Sequence, residues 1–259
     1  MNTELTSSNG LSKPQHFTAI KEQDFEEFRD IVLNNLNQFI DNLRKGYVYI
    51  IRNVIDDGKL IAIRNCVHEL GLTTPSCWHD VDENTPNFHQ IDDELHYFKQ
   101  TKRAHTYHFF KNNNDEFGLF SLFQEPLQLY QLINGHRSHC SSDTQFDKHF
   151  RNRLQIHHYP SGGGYMNLHR DADDHLKTIA IACMSEYGKD YTTGGLCLTN
   201  DANELLDIES TTKINIGDMI FAYPTIEHGC SPIDQEATLD WTSLNGRWLF
   251  VFNTFPIPQ

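Results

Sequence analysis

After residue 150 the chain breaks into short apolar runs set off by glycine turns, and this punctuation limits the fold more than any other feature. Candidate strands cover Arg153–Tyr159, Tyr165–His169, Leu176–Met184, Leu196–Thr199, Thr212–Ile216, Met219–Tyr223, His228–Pro232 and Arg247–Phe252. Between them stand Gly162-Gly163-Gly164, Gly194-Gly195, Gly217-Asp218 and Asn245-Gly246. About eight short strands with this spacing predict a sandwich or jelly roll rather than a parallel α/β sheet.

The first half reads differently. Residues 1–20 form a polar leader with no apolar h-region, so no secretory signal is expected. Apolar residues then fall at Phe25, Phe28, Ile31, Val32, Leu36, Phe39, Ile40 and Leu43, the steps of three and four that mark an amphipathic helix over Gln23–Lys45. Gly46 is placed to end it. Tyr47–Val54 alternates as a strand, and Asp57–Leu70 carries a second helical pattern. Residues 72–116 have no clear period but many Asp, Asn, His and aromatic residues, which predicts an ordered, irregular lid. Phe117–Ile133 reads as helix, kinked or divided at Pro126. The expected organisation is a leader at 1–20, a helical buttress with an irregular lid region at 21–150 and a jelly-roll catalytic core at 151–259. Buttress and core would form one compact domain.

Composition removes several function classes. Lys and Arg total 21 against 35 Asp and Glu, a formal charge of −14 that opposes a nucleic-acid or anionic-membrane surface. Mean hydropathy is −0.54 and no apolar run approaches the length of a membrane span. Cys66, Cys77, Cys140, Cys183, Cys197 and Cys230 include no C-x-x-C pair, so neither a zinc ribbon nor a redox dithiol is expected. Six free thiols without a secretion signal predict a reducing, cytoplasmic setting.

The sharpest chemical candidate is His169-Arg170-Asp171. In an extended segment positions i and i+2 project to one face, so His169 and Asp171 can share one cation. In a chain with fifteen histidines such a pair means little alone. Its company matters more. His228 follows an apolar strand, and two imidazoles with one carboxylate, leaving a face open, is the ligand set of non-haem Fe(II) oxygenases. Arg247 opens the strand Arg247–Phe252, where a core-facing guanidinium needs an anion because a lone buried charge is costly. A dicarboxylate co-substrate, gripped by the guanidinium fork, would supply one.

His158-Tyr159-Pro160-Ser161-Gly162-Gly163, Tyr165 and His169-x-Asp171 resemble the corresponding run of prolyl-4-hydroxylase-type Fe(II)/2-oxoglutarate-dependent dioxygenases. Gly194-Gly195-Leu196, Gly217-Asp218-Met219-Ile220-Phe221, Glu227-His228 and Gly246-Arg247-Trp248 follow in the order of that family. The resemblance covers roughly residues 153–254. It implies a double-stranded β-helix (jelly roll) with His169, Asp171 and His228 as iron ligands. Arg247 would hold the far carboxylate of 2-oxoglutarate, and Tyr159 would hydrogen-bond the same co-substrate. The implied cofactors are Fe(II), 2-oxoglutarate and O2, and the implied reaction is hydroxylation with release of succinate and CO2. The Ser231–Asn245 loop is longer than is usual in this group. Asp171 disfavours halogenation, since halogenases of the superfamily lack that carboxylate.

The substrate class is open at this point. A small molecule, such as a free amino acid, is expected because no peptide-binding repeat is apparent; a peptidyl or protein hydroxylase is the alternative. A non-catalytic jelly-roll binding module that retains a metal, and a zinc hydrolase, are rivals from other classes, the latter lacking an H-E-x-x-H helix. Among other candidates, His157 and His158 share a strand, and only one is expected to face the core. His79-Asp80-x-Asp82 is read as a solvated acidic loop and Arg170 as half of a structural ion pair. Asp173 and Asp174 read as a solvated turn.

Overall fold

The computed structural model describes residues 16–82, 84–97, 100–111, 113–136 and 150–256. Residues 1–15 of the expected leader lie outside the described residues, as does Cys140. The elements begin with strand β1 (Ala19–Asp24), helices α1 (Phe25–Asn34) and α2 (Leu36–Arg44), strand β2 (Tyr47–Arg52) and helix α3 (Asp57–Thr73). Then come strands β3 (Phe88–Tyr97) and β4 (Gln100–Phe110) and helices α4 (Leu119–Leu122) and α5 (Gln124–Asn134). The second half supplies β5 (Phe150–Pro160), β6 (Gly164–His169), β7 (Ile179–Cys183), β8 (Gly195–Thr199) and β9 (Leu205–Asp207). It ends with α6 (Ile208–Thr212), β10 (Met219–Ala222), β11 (His228–Ile233) and β12 (Gly246–Pro256).

All twelve strands join one curled sheet in the order β1-β2-β10-β7-β12-β5-β4-β6-β11-β8-β9, with β3 on β4. Among the described strands β1 and β2 pair in parallel and the other strand pairings are antiparallel. The curl makes a jelly roll with an inner and an outer face. Register decides which residues meet on each face. Arg247 lies opposite Tyr159, and Trp248 opposite His158. Since alternate residues share a face, Tyr159, His157 and Gln155 look inward with Arg247, while His158, Ile156 and Leu154 look outward with Trp248, Phe250 and Phe252.

The outer face is covered by helices, and there the core is densest. Phe123 stacks on Phe250 with ring centroids 4.0 Å apart, and Tyr130 stacks on Phe252 at 5.7 Å. His158 stacks on Trp248 at 4.1 Å, and both are fully buried. Removing aromatic area of this size from water stabilises the contact by a few kcal/mol per side chain (~25 cal/mol per Å2). Local chemistry places the helices. Asp24 caps α1 by accepting from the Glu27 N–H at 2.8 Å, and Asp56 caps α3 by accepting from Lys59 at 2.9 Å.

Several expectations need correction. The single helix over Gln23–Lys45 is two, separated at Asn35, whose φ of −137° is not helical. The break near Pro126 falls at Phe123; Pro126 itself sits in the first turn of α5, where an amide hydrogen has no helical partner to lose. Much of the segment expected to be an irregular lid is a long hairpin, β3–β4, paired through β4 to β5 and β6. Its polar residues lie on both faces, with Thr106 and His108 inward and His105 outward, so no hydrophobic alternation marks it. Thr212–Ile216 is not a strand. Asp207 accepts from the Glu209 and Ser210 amides, starting the short helix α6 instead.

Candidate metal centre

His169 ends β6, Asp171 lies in the loop after it, and His228 begins β11 directly opposite His169. The Asp171 amide is fixed by donating to the Pro224 carbonyl at 3.0 Å. Together these three bring one ligand atom each to within 4.8 Å of one another, the only such His/Cys/Asp/Glu group among the described residues.

The hydrogen bonds specify what this trio can bind. His169 Nδ1 lies 3.0 Å from the Asn167 carbonyl, and His228 Nδ1 lies 2.8 Å from the Ile226 carbonyl. A carbonyl only accepts, so each Nδ1 carries a proton, and in the neutral imidazole Nε2 then presents a lone pair. Burial, and then the neighbouring His228, hold His169 below the ordinary histidine range. Both lone pairs face Asp171, with His169 Nε2 3.8 Å from Oδ1 and His228 Nε2 3.7 Å from Oδ2. Neither distance is a hydrogen bond. With the imidazoles in the neutral form that a metal ligand requires, two nitrogen acceptors and a carboxylate converge with no donor among them. That is the donor set of a divalent cation, and the residues fit one.

Along β11, one strand step of about 7 Å from His228 on the same face, Cys230 leads to the second cluster. Arg247 and Glu209 are 3 % and 1 % exposed. Arg247 Nε donates to Glu209 Oε1 at 2.7 Å, and Nη2 lies 2.5 Å from the same oxygen. The Tyr191 hydroxyl donates to Glu209 Oε2. Burial works against the Arg247 charge, but Glu209 outweighs it and raises the guanidinium above its already high range. The buried anion that Arg247 requires is therefore present in the chain itself. Arg247, expected to hold a co-substrate carboxylate, is thus already paired within the chain.

Tyr159 lies beside this pair, its ring 5.9 Å from the Arg247 guanidinium carbon. Its hydroxyl reaches only the Met166 sulfur, at 3.8 Å, a weak acceptor that an incoming oxygen would displace. Further along the inner face the sheet is polar. Lys102 Nζ lies 2.9 Å from Asp92 and donates to Thr106 at 3.2 Å, and Gln155 meets His108 Nδ1 at 3.2 Å. Burial, with the positive charges of Lys102, Arg153 and Arg247, drives His157 well below the ordinary range, so it stays neutral.

The other sequence candidates stay apart from the trio. His157 and His158 are both buried, because both faces of their sheet are covered. Arg170 pairs with Glu227 at 3.3 Å. Asp173 accepts from the Tyr223 hydroxyl at 2.9 Å, and Asp174 pairs with His175. The five described cysteines are free thiols; burial pushes Cys230 up to about 12. No helix among the described residues is long and apolar enough to cross a membrane. Sequence reasoning missed Glu209 and Tyr191, and no local pattern marks either. The Thr106/His108 and Gln155/His157 alternation was a readable signal for the polar inner face.

No family model and no curated protein matches the chain. Solved structures do. A protein assigned to the 2OG-Fe(II) oxygenase family from Caulobacter crescentus aligns with a TM-score of 0.54 at 11% identity, over 90% of this chain and 85% of that one. A prolyl-4-hydroxylase from Pseudomonas putida aligns at a TM-score of 0.49 and 11% identity, over 86% of this chain and 99% of that one. A prolyl hydroxylase from Trichoplax adhaerens, in complex with a hypoxia inducible factor peptide fragment, aligns at 0.48 and 9%, over 91% and 94%. At these identities the likeness is one of architecture. The chain has the mainly β, double-stranded β-helix fold of the Caulobacter 2OG-Fe(II) oxygenase family protein.

Proposed function

We propose that this protein is an Fe(II)-dependent oxygenase that consumes O2 and a 2-oxo acid to hydroxylate a C–H bond of a small molecule. 2-Oxoglutarate is the 2-oxo acid that the sequence resemblance implies, and a free amino acid or related metabolite is the substrate class. The observation that carries the reading is the convergence of two Nε2 lone pairs and the Asp171 carboxylate without a donor among them. Bound iron would supply the O2 chemistry, for which the protein contributes geometry and a dry, shaped site.

The chain's own residues have defined tasks. The Asn167 and Ile226 carbonyls fix both imidazole tautomers, so the ligands are oriented before a metal arrives. Tyr159 offers a donor to the co-substrate. The polar inner strip of Lys102, Thr106, His108, Gln155 and His157 offers hydrogen bonds to a small polar substrate rather than an apolar cleft. Residues 151–259 serve as the catalytic core, with 21–150 as its buttress, and the free thiols accord with a cytoplasmic setting. No separate observation favours a peptide substrate.

The test has two arms. Fe(II)-loaded protein under anaerobic conditions should develop a visible charge-transfer band when a 2-oxo acid is added. Aerobically, a screen of free amino acids and peptides should find a product heavier by one oxygen atom, with the 2-oxo acid decarboxylated in step. Iron bound at the trio but no band with any 2-oxo acid would overturn the reading. Product from peptides alone would move the substrate class to peptidyl hydroxylation.

A further inference from the structure

Arg247 is the buried cation nearest to the role of co-substrate clamp, yet its charge is already cancelled. Glu209 is 1 % exposed and uses both carboxylate oxygens, one on Arg247 and the other on the Tyr191 hydroxyl. The backbone is shaped to admit this side chain. Gly195, at the start of β8, has φ +119°, and a Cβ built there would collide with Glu209 Oε2. The second glycine of the Gly194-Gly195 pair thus clears the space that the Glu209 carboxylate fills. Beside them Cys183 and Cys230 are buried thiols, and neither offers positive charge.

The charge count then discriminates between ligands. A divalent metal with Asp171 carries one net positive charge, which the 1-carboxylate of a 2-oxo acid balances. Arg247 and Glu209 balance each other. A second carboxylate at the far end of the co-substrate would stand beside the buried Glu209, which already takes up the charge of Arg247, while Lys102 on the same inner face is paired with Asp92. Like charges brought together in such a site are strongly disfavoured. Donor capacity does remain, because Arg247 Nη2 has ion-pair distance to Glu209 but no aligned hydrogen bond. An uncharged far end adds no negative charge beside Glu209, whereas a carboxylate does.

We infer that Glu209 is a specificity-determining residue for the co-substrate: seated on Arg247, it makes the pocket take a 2-oxo acid with an uncharged far end in preference to 2-oxoglutarate. This rests on the oxygenase reading proposed above and narrows it. The Glu209→Gln variant keeps the shape and an acceptor for Arg247 but removes the competing charge, so it should restore the preference for a second carboxylate.

The experiment is an anaerobic titration of Fe(II)-loaded wild type and Glu209→Gln with 2-oxoglutarate and with 2-oxopentanoate, the same five-carbon chain with a methyl group in place of the second carboxylate. Charge-transfer absorbance reports binding without turnover, and metal analysis confirms that iron is present. Wild type should bind 2-oxopentanoate at least ten times more tightly than 2-oxoglutarate. Glu209→Gln should tighten 2-oxoglutarate at least tenfold while 2-oxopentanoate moves little, which also shows that the pocket is intact. Tighter binding of 2-oxoglutarate by wild type overturns the inference and leaves the oxygenase reading standing. That comparison needs no variant, so it decides even if Glu209→Gln fails to fold. Iron-loaded wild type that binds neither acid overturns both.

Discussion

Two charged clusters of the jelly roll, one at His169, Asp171 and His228 and one at Arg247 and Glu209, differ in completeness. At His169, Asp171 and His228 the ligand atoms face one another at 3.7–3.8 Å with no hydrogen bond between them. At Arg247, Glu209 and Tyr191 every charge has its counterpart in the chain. The first arrangement leaves its ligand atoms open to a cation. The second is stable as it stands. A buried cluster that completes itself belongs to the folding of the protein, whereas one that does not is addressed to a ligand. The outer-face histidines join the complete side: His89 Nδ1 meets His105 Nε2 at 2.8 Å, and the Tyr107 hydroxyl meets His105 Nδ1 at 3.0 Å.

The largest effect should come from the incomplete cluster. Asp171→Ala removes the only anionic ligand, so Fe(II) binding and hydroxylation should both fall by more than the roughly 10–100-fold that outer-shell changes cost metal sites. Metal stoichiometry after dialysis and turnover of whatever substrate the screen identifies would measure this. Its stability should change little, because Asp171 is a third exposed and bonds no partner across the trio. Full activity in this variant would break the comparison at its first member.

Arg247→Met probes the other side. It leaves the Glu209 carboxylate buried without its cation, a situation that costs about 3–5 kcal/mol. Denaturant unfolding should show that loss even with no metal or co-substrate present. The double variant Arg247→Met with Glu209→Leu removes the stranded charge and should recover most of it. An Arg247→Met protein as stable as wild type would mean that the pair is not structural, and that Arg247 waits for a ligand as the trio does.

Acid should act next, through the buried histidines. Burial lowers His105 to about 2 and His158 to about 3, and holds His108 and His157 well below the ordinary value. In the unfolded chain each would titrate near 6.5. Below that pH the unfolded state gains protons that the folded state refuses, so stability is complete above pH 6.5 and lost as pH falls. The expected slope is about 1.4 kcal/mol per pH unit for each such histidine. Denaturation midpoints between pH 7.5 and 5 would measure it, and His105→Asn should reduce the slope by one histidine's share. A slope unchanged in that variant would show that His105 is not held neutral by the fold.

The core strands after residue 150 were legible because each is short, apolar and bounded by glycine, and seven of the eight are found where the pattern placed them. Thr212–Ile216 failed because β-branched residues imitate a strand, while the Asp207 cap that starts α6 is a single hydrogen-bonding side chain. The β3–β4 hairpin failed for a different reason. Its inner face lines the polar interior and its outer face carries the His89–His105–Tyr107 contacts, so hydrophobic alternation is erased on both sides.

What the sequence determined alone was the sheet-rich core, the His169-x-Asp171 pair and the need of Arg247 for an anion, since each follows from local spacing or from the cost of burying a charge. It could not say which anion, because Glu209 lies 38 residues from Arg247 along the chain. Nor could it show that His228 closes on His169, or that two backbone carbonyls turn both Nε2 lone pairs toward Asp171. Those decisions belong to the curl of the sheet and its register. Contacts between distant strands are set by packing, and packing is where a short, strong interaction can join residues that no local pattern connects.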